Sequence, residues 1–165
     1  VFYALFYFLA LGIVAESGSN IFYYLIGYDK LSAWYSLLFF ASLIFAMVFH
    51  EAIHGLFFYA FTGAKPVFGF KKMMAYAGAP DWYIRKDFFL VITLAPFVVI
   101  TLICFILLAV APNEAISIVF MIMIIHAAGC VGDFWYAVVL INKPKDTFIN
   151  DSGTVATINN ELELI

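Results

Sequence analysis

The stretch VFHEAIHGLFF, Val48–Phe58, sets two histidines and a glutamate within five positions of an otherwise apolar run. Its surroundings, Leu31 to Phe61, are apolar over a length that exceeds the roughly 20 residues a membrane helix needs. An ionisable side chain in such a segment costs on the order of several kcal/mol unless it is paired or faces a cavity. Two readings follow together: the segment spans a membrane, and its titratable groups have partners.

Composition points the same way. Of 165 residues, 66% are hydrophobic and 20% aromatic, and only 12% are charged. A soluble domain carries about 25% charged residues. With a mean hydropathy of +1.05, the chain cannot cover a water-exposed surface. The net charge of −3 offers no footing for nucleic acid, and none is expected as a partner. Cys104 and Cys130 both fall in apolar spans, so no disulfide framework is expected.

Four spans are legible: 1–15, which opens in mid-span and is read as lacking upstream residues, then 31–61, 87–110 and 115–142. A polar break, ESGSN, and an aromatic interfacial stretch, IFYYLIGY, follow the first. The short turn APNE joins the third to the fourth. The expectation is an all-α polytopic membrane protein of about four transmembrane helices, with residues 1–142 as its membrane domain and 143–165 as a hydrophilic tail. Between the second and third spans, PVFGFKKMMAYAGAP (Pro66–Pro80) holds two short β-prone runs around Lys71-Lys72. It reads either as a β-hairpin whose edge takes an extended substrate or as an interfacial loop anchored by Phe68, Phe70 and Tyr76.

Spans three and four form a hairpin, which puts 62–86 and the tail on one side. That side holds Lys65, Lys71, Lys72, Arg85, Lys86, Lys143 and Lys145, leaving only Lys30 opposite, out of the eight Lys and Arg. The positive-inside rule makes the richer side cytoplasmic in a multi-pass cell-membrane protein.

Inside the spans, away from their ends, the ionisable residues are His50, Glu51, His54, His126 and Asp133. Intramembrane charges pair with one another or line a cavity, so these five are expected to converge. His50 and His54 are four apart and share a helix face, so both can reach one ion. Glu51 lies too far around the helix to complete that pair and is better placed to hold a water at the metal as its base. Catalytic zinc takes a third protein ligand and keeps one position open. Counting 1.5 Å per residue from Phe61 and from Asn142, His54 and Asp133 lie about 10 and 13 Å deep, so Asp133 can meet the histidines. The competing reading has Asp133 pairing with an interfacial lysine or capping a helix. His126, about 10 Å deeper on the face of Asp133, reads as a group orienting substrate or oxyanion, as a ligand, or as a histidine hydrogen-bonded between helices. Gly129 and Gly132 offer a local break there. Cys130 reads as a small buried filler or as a ligand.

These residues resemble a family. HEAIHGLFF on a span, KPVFGF after it, LAP opening the next, GCVGD on the last and KPKDTFINDSG in the tail are similar to the bacterial "putative zincin peptidase" family of unknown function. More distantly they resemble the site-2 proteases. The likeness runs from about Leu43 onward. It implies His50, His54 and Asp133 as zinc ligands and Glu51 as the base. Two departures from site-2 proteases stand out: HAAGCVGDF has no proline, and Phe134 stands where those enzymes have glycine after the aspartate.

The function expected from this is a zinc-dependent intramembrane endopeptidase. It would cut a membrane peptide or single-span protein near the cytoplasmic face. A membrane metal carrier and a pseudo-enzyme that only holds partners are the alternatives. Glu51 separates the first two, because transport can use it as a ligand whereas hydrolysis needs it free beside the metal. Oligomeric state has no signal in the sequence.

Overall fold

The computed structural model describes residues 33–71, 74–153 and 155–159. The expected first span, 1–15, and Lys30 lie outside the described residues. Among the described residues the chain forms four helices: α1 (Ala33–Thr62), α2 (Lys86–Val110), α3 (Asn113–Gly129) and α4 (Val131–Ile141). Five short strands accompany them: β1 (Val67–Lys71), β2 (Met74–Gly78), β3 (Tyr83–Arg85), β4 (Phe148–Asp151) and β5 (Ala156–Asn159).

Among the described residues two helices are long and apolar enough to cross a membrane, Leu37–Thr62 within α1, and α2. The expected span 115–142 is interrupted. α3 ends at Gly129, α4 starts at Val131, and Cys130 stands between them. Among the described residues a third crossing arises only if this interrupted pair acts as one span. Gly129 and Gly132 flank the break, and glycine weakens a helix by about 1 kcal/mol relative to alanine.

By its contacts the chain divides into two compact units, Val1–Ala46 with Val99–Ala128, and Met47–Val98 with Gly129–Ile165. In the first, burial recurs every three or four residues, at Ile100, Cys104 and Leu108 on α2 and at Ile116, Phe120 and Met123 on α3. That is the period of a helix with one covered face.

The second unit carries all five strands. α1 stops at Thr62 because Gly63 adopts a left-handed φ of 69° and its N–H bonds the Tyr59 carbonyl at 2.8 Å. The Thr62 hydroxyl bonds the Phe58 carbonyl, closing the helix end. β1 and β2 then pair antiparallel, Val67 opposite Gly78 and Lys71 opposite Met74. This is the hairpin that the alternating pattern of Pro66–Pro80 suggests. It lies close on α1: a Cβ at Gly55 would run into the Phe68 ring.

The structure is mostly helical, but β structure extends beyond the expected hairpin, with strands at Phe148–Asp151 and Ala156–Asn159 within the segment expected as a hydrophilic tail. β4 pairs with β3, Ile149 opposite Ile84, and β5 pairs with β4, Asp151 opposite Ala156. The strands have three or four residues each, too short for alternation to stand out from a polar background. Ile149 is fully buried. It joins Phe58 of α1, Ala77 of β2, Ile84 of β3, Phe89 and Ile92 of α2 and Leu140 of α4 in one apolar cluster. Lys86, at the start of α2, closes the other end. Its ammonium donates to the carbonyls of Lys143, at 2.6 Å, and Ile141, satisfying the C-terminus of α4.

Candidate metal centre and its cavity

On α1 the exposed positions Phe45, Val48, Leu56 and Tyr59 are all apolar or aromatic, as a lipid-facing stripe would be. The covered face carries His50, Ile53, His54 and Phe58. α4 is built the same way. Val131, Trp135 and Val138 are exposed, whereas Asp133 shares a face with buried Ala137 and Leu140. The i, i+4 spacing within each helix sorts the polar groups inward.

Three of the five ionisable residues meet there. The Nε2 atoms of His50 and His54 are 3.1 Å apart. Asp133 reaches both, with Oδ2 3.3 Å from His50 Nε2 and Oδ1 3.5 Å from His54 Nε2. The side chains are only 14, 12 and 20% exposed in that order. Zinc bound at 2.0–2.1 Å with tetrahedral angles spaces its ligand atoms about 3.3 Å apart. The three distances have that spacing, so these donors can hold a zinc ion as they stand.

Tautomer supports the fit. His54 Nδ1 lies 2.9 Å from the Ile92 carbonyl of α2. A carbonyl only accepts, so Nδ1 carries the proton and Nε2 turns its lone pair toward His50 and Asp133. The Ile92 carbonyl is available for a reason written in the sequence. Pro96, inside α2, lacks the N–H that would bond the carbonyl four residues earlier, which is Ile92. Cys130, fully buried, approaches the other ring nitrogen of His50, with Sγ 4.0 Å from Nδ1.

Glu51 lines the same cavity. Its carboxylate lies near the Ala77 backbone N–H of β2 and interacts electrostatically with His50, His54 and Asp133. The cavity encloses about 510 Å³. Its walls are α1 (His50, Glu51, His54, Phe58), α2 (Phe89, Ile92, Thr93), α4 (Asp133, Tyr136), β2 (Ala75, Tyr76, Ala77) and the β4–β5 turn (Asp151, Gly153) with Val155 and Ala156.

His126 falls in the last turn of α3, which belongs to the other compact unit. Two contributors escaped the sequence reading. Pro96 stands in LAP, where a helix-breaking residue was visible but its i−4 carbonyl was not connected to His54. Asp151 stands in the tail, where its only signal was a carboxylate ahead of a Ser-Gly turn.

The sequence profile of a family described as "Putative zincin peptidase" matches residues 43–148. That stretch includes His50, Glu51, His54, His126 and Asp133 and ends before Asp151. No curated protein and no solved structure matches the chain.

Proposed function

This chain belongs to the putative zincin peptidase family, and we propose that it is a zinc-dependent endopeptidase of the site-2-protease type. In this reading it cleaves a membrane-associated peptide or single-span protein near the cytoplasmic face. His50, His54 and Asp133 hold the ion and Glu51 is the general base. The observation that carries the proposal is the cluster in which the two histidine Nε2 atoms stand 3.1 Å apart and each faces one Asp133 oxygen, at 3.3 and 3.5 Å, set beside a carboxylate that is not part of it.

When bound, zinc lowers the pKa of a water to about 7 and polarises a carbonyl. The protein's own groups do the rest. The Glu51 carboxylate takes the proton of the attacking water and delivers it to the leaving amide nitrogen. The Ala77 N–H lies near that carboxylate at the cavity wall. The substrate backbone lies extended along β2, whose Ala75–Ala77 stretch lines the cavity, by strand addition. A helical substrate must unwind first, because its amides are otherwise paired.

Glu51→Gln tests the proposal against the metal-carrier reading. The variant should fold, retain one zinc per chain and bind substrate, while cleavage of a membrane peptide falls about 10²–10⁴-fold. Loss of zinc would make Glu51 a ligand and favour the carrier. Cleavage at the wild-type rate would remove hydrolysis by this base.

A further inference from the structure

Asp151 brings a third carboxylate to a cavity that already holds Glu51 and Asp133, and neither the ion nor the base accounts for it. It ends β4 and lines the cavity wall near His54, with which it interacts electrostatically. One oxygen, Oδ1, accepts the Gly153 N–H at 2.7 Å, and Gly153 can turn there because its φ is 83°. Among the described residues that bond is the only one to the carboxylate; Lys71 lines the same cavity but forms no ion pair with it, and the one ion pair of a lysine or arginine, Arg85 with Asp87, lies outside the cavity lining. A carboxylate drawn out of water without a cation is costly. Beside it, Phe58, Tyr76, Phe89 and Val155 line the cavity, a surface suited to an aliphatic stem.

We propose that Asp151 is a specificity-determining residue that receives a cationic group of the substrate, an ammonium or guanidinium, at the wall of the metal cavity. The proposal rests on the peptidase reading for the identity of the ligand as a peptide. Its chemistry is a charge-assisted hydrogen bond from the cation to the carboxylate oxygen that Gly153 leaves open. Two sources offer that cation: a lysine or arginine side chain within the peptide, or a free α-amine at its end. The first is a preference of an endopeptidase and the second a capture of chain termini.

The experiment measures binding of labelled peptides to the zinc-loaded full chain in detergent, separately from cleavage. The peptides share one sequence and differ only in lysine against norleucine, and in a free against an acetylated N-terminus. Wild type should bind one cationic member roughly 10–100-fold more tightly than its neutral counterpart, the range of a hydrogen bond to a charged group. Asp151→Asn, which keeps the acceptor for Gly153, should retain zinc and lose that preference, whereas Asp151→Glu should keep most of it. Loss of the lysine arm alone identifies a side-chain site, and loss of the amine arm alone a terminus site. No preference in wild type, or one that persists in Asp151→Asn, overturns the proposal. Cleavage without preference would overturn it while leaving the peptidase reading intact. Preference without cleavage would support the Asp151 site and count against hydrolysis.

Discussion

A carbonyl released by one proline orients one of the proposed ligands. Restoring the missing N–H with Pro96→Ala lets the Ile92 carbonyl rejoin the helix ladder and leaves His54 Nδ1 without its fixed acceptor. Loss of such an outer partner weakens metal binding about 10–100-fold. Pro96→Ala should therefore lower zinc affinity in a chelator competition without lowering thermal stability. His50→Ala, His54→Ala and Asp133→Ala should each lose most of the zinc, whereas His126→Ala should keep it. If His126 orients the oxyanion, its alanine variant loses activity by about 10²-fold or more. Metal content and turnover, measured on the same preparations, check the series. Asp151 adds a pH dependence. Burial is the largest influence on its carboxyl and raises it above the ordinary 3.8, against opposing pulls from the Gly153 N–H and His54. The folded state thus holds this proton more tightly than the unfolded chain. The stability it contributes is full below the unfolded value and is lost as pH rises through the folded one. Asp151→Asn should then unfold at a higher temperature than wild type at neutral pH, and the gap should close toward pH 4. A gap that widens on acidification would reverse the sign assigned to burial.

At the scale of elements, what the sequence made legible follows its periodicities. The long runs of α1 and α2 are continuous enough to read directly, and the spacing of His50 and His54 carries their shared face with no tertiary knowledge. The β1–β2 hairpin was legible as one of two readings, since VFGF and MMAYA are as compatible with an interfacial loop. β4 and β5 were not, because FIND and ATIN bury one side chain fully between them, Ile149, and reach β3 only through FIND, from far along the chain. The break at Cys130 was visible only as two glycines. Ile149→Ala measures what the overlooked sheet contributes. A buried Ile→Ala change costs about 2–5 kcal/mol, and here it should also raise the KM for peptides, since β4 carries Asp151. A second check is Gly55→Leu, whose side chain must displace the Phe68 ring and lift the hairpin from α1. It should lower the thermal midpoint while leaving the zinc ligands chemically intact.

For the whole molecule, sidedness is the property that a sequence count alone proposes. Lys71, Asp151, Gly153, Val155 and Ala156 line one cavity, so in the proposed topology the loop after the second expected span and the segment after the last share a compartment. By the positive-inside rule that compartment is expected to be the cytoplasm. Lys71→Cys and Lys145→Cys test this, because Cys104 and Cys130 are both buried and give little background. Both introduced thiols should resist an impermeant maleimide added to intact cells and react once the membrane is opened. Labelling of either from outside would invert the topology. Labelling of only one would contradict the shared cavity.

The wall formed by β4 and β5 bears on how the protein is made. Synthesis delivers residues in order, so the two histidines and their glutamate leave the ribosome well before Asp133, and the carboxylate of Asp151 emerges later still. A nascent chain therefore carries HEAIH with its third proposed ligand and part of its cavity missing. In the proposed mechanism it stays inert toward neighbouring unfolded membrane segments until Asp133 is in place. Ribosome-bound chains halted before Asp133 would be harmless to their surroundings, a safeguard that comes from the order of the polypeptide.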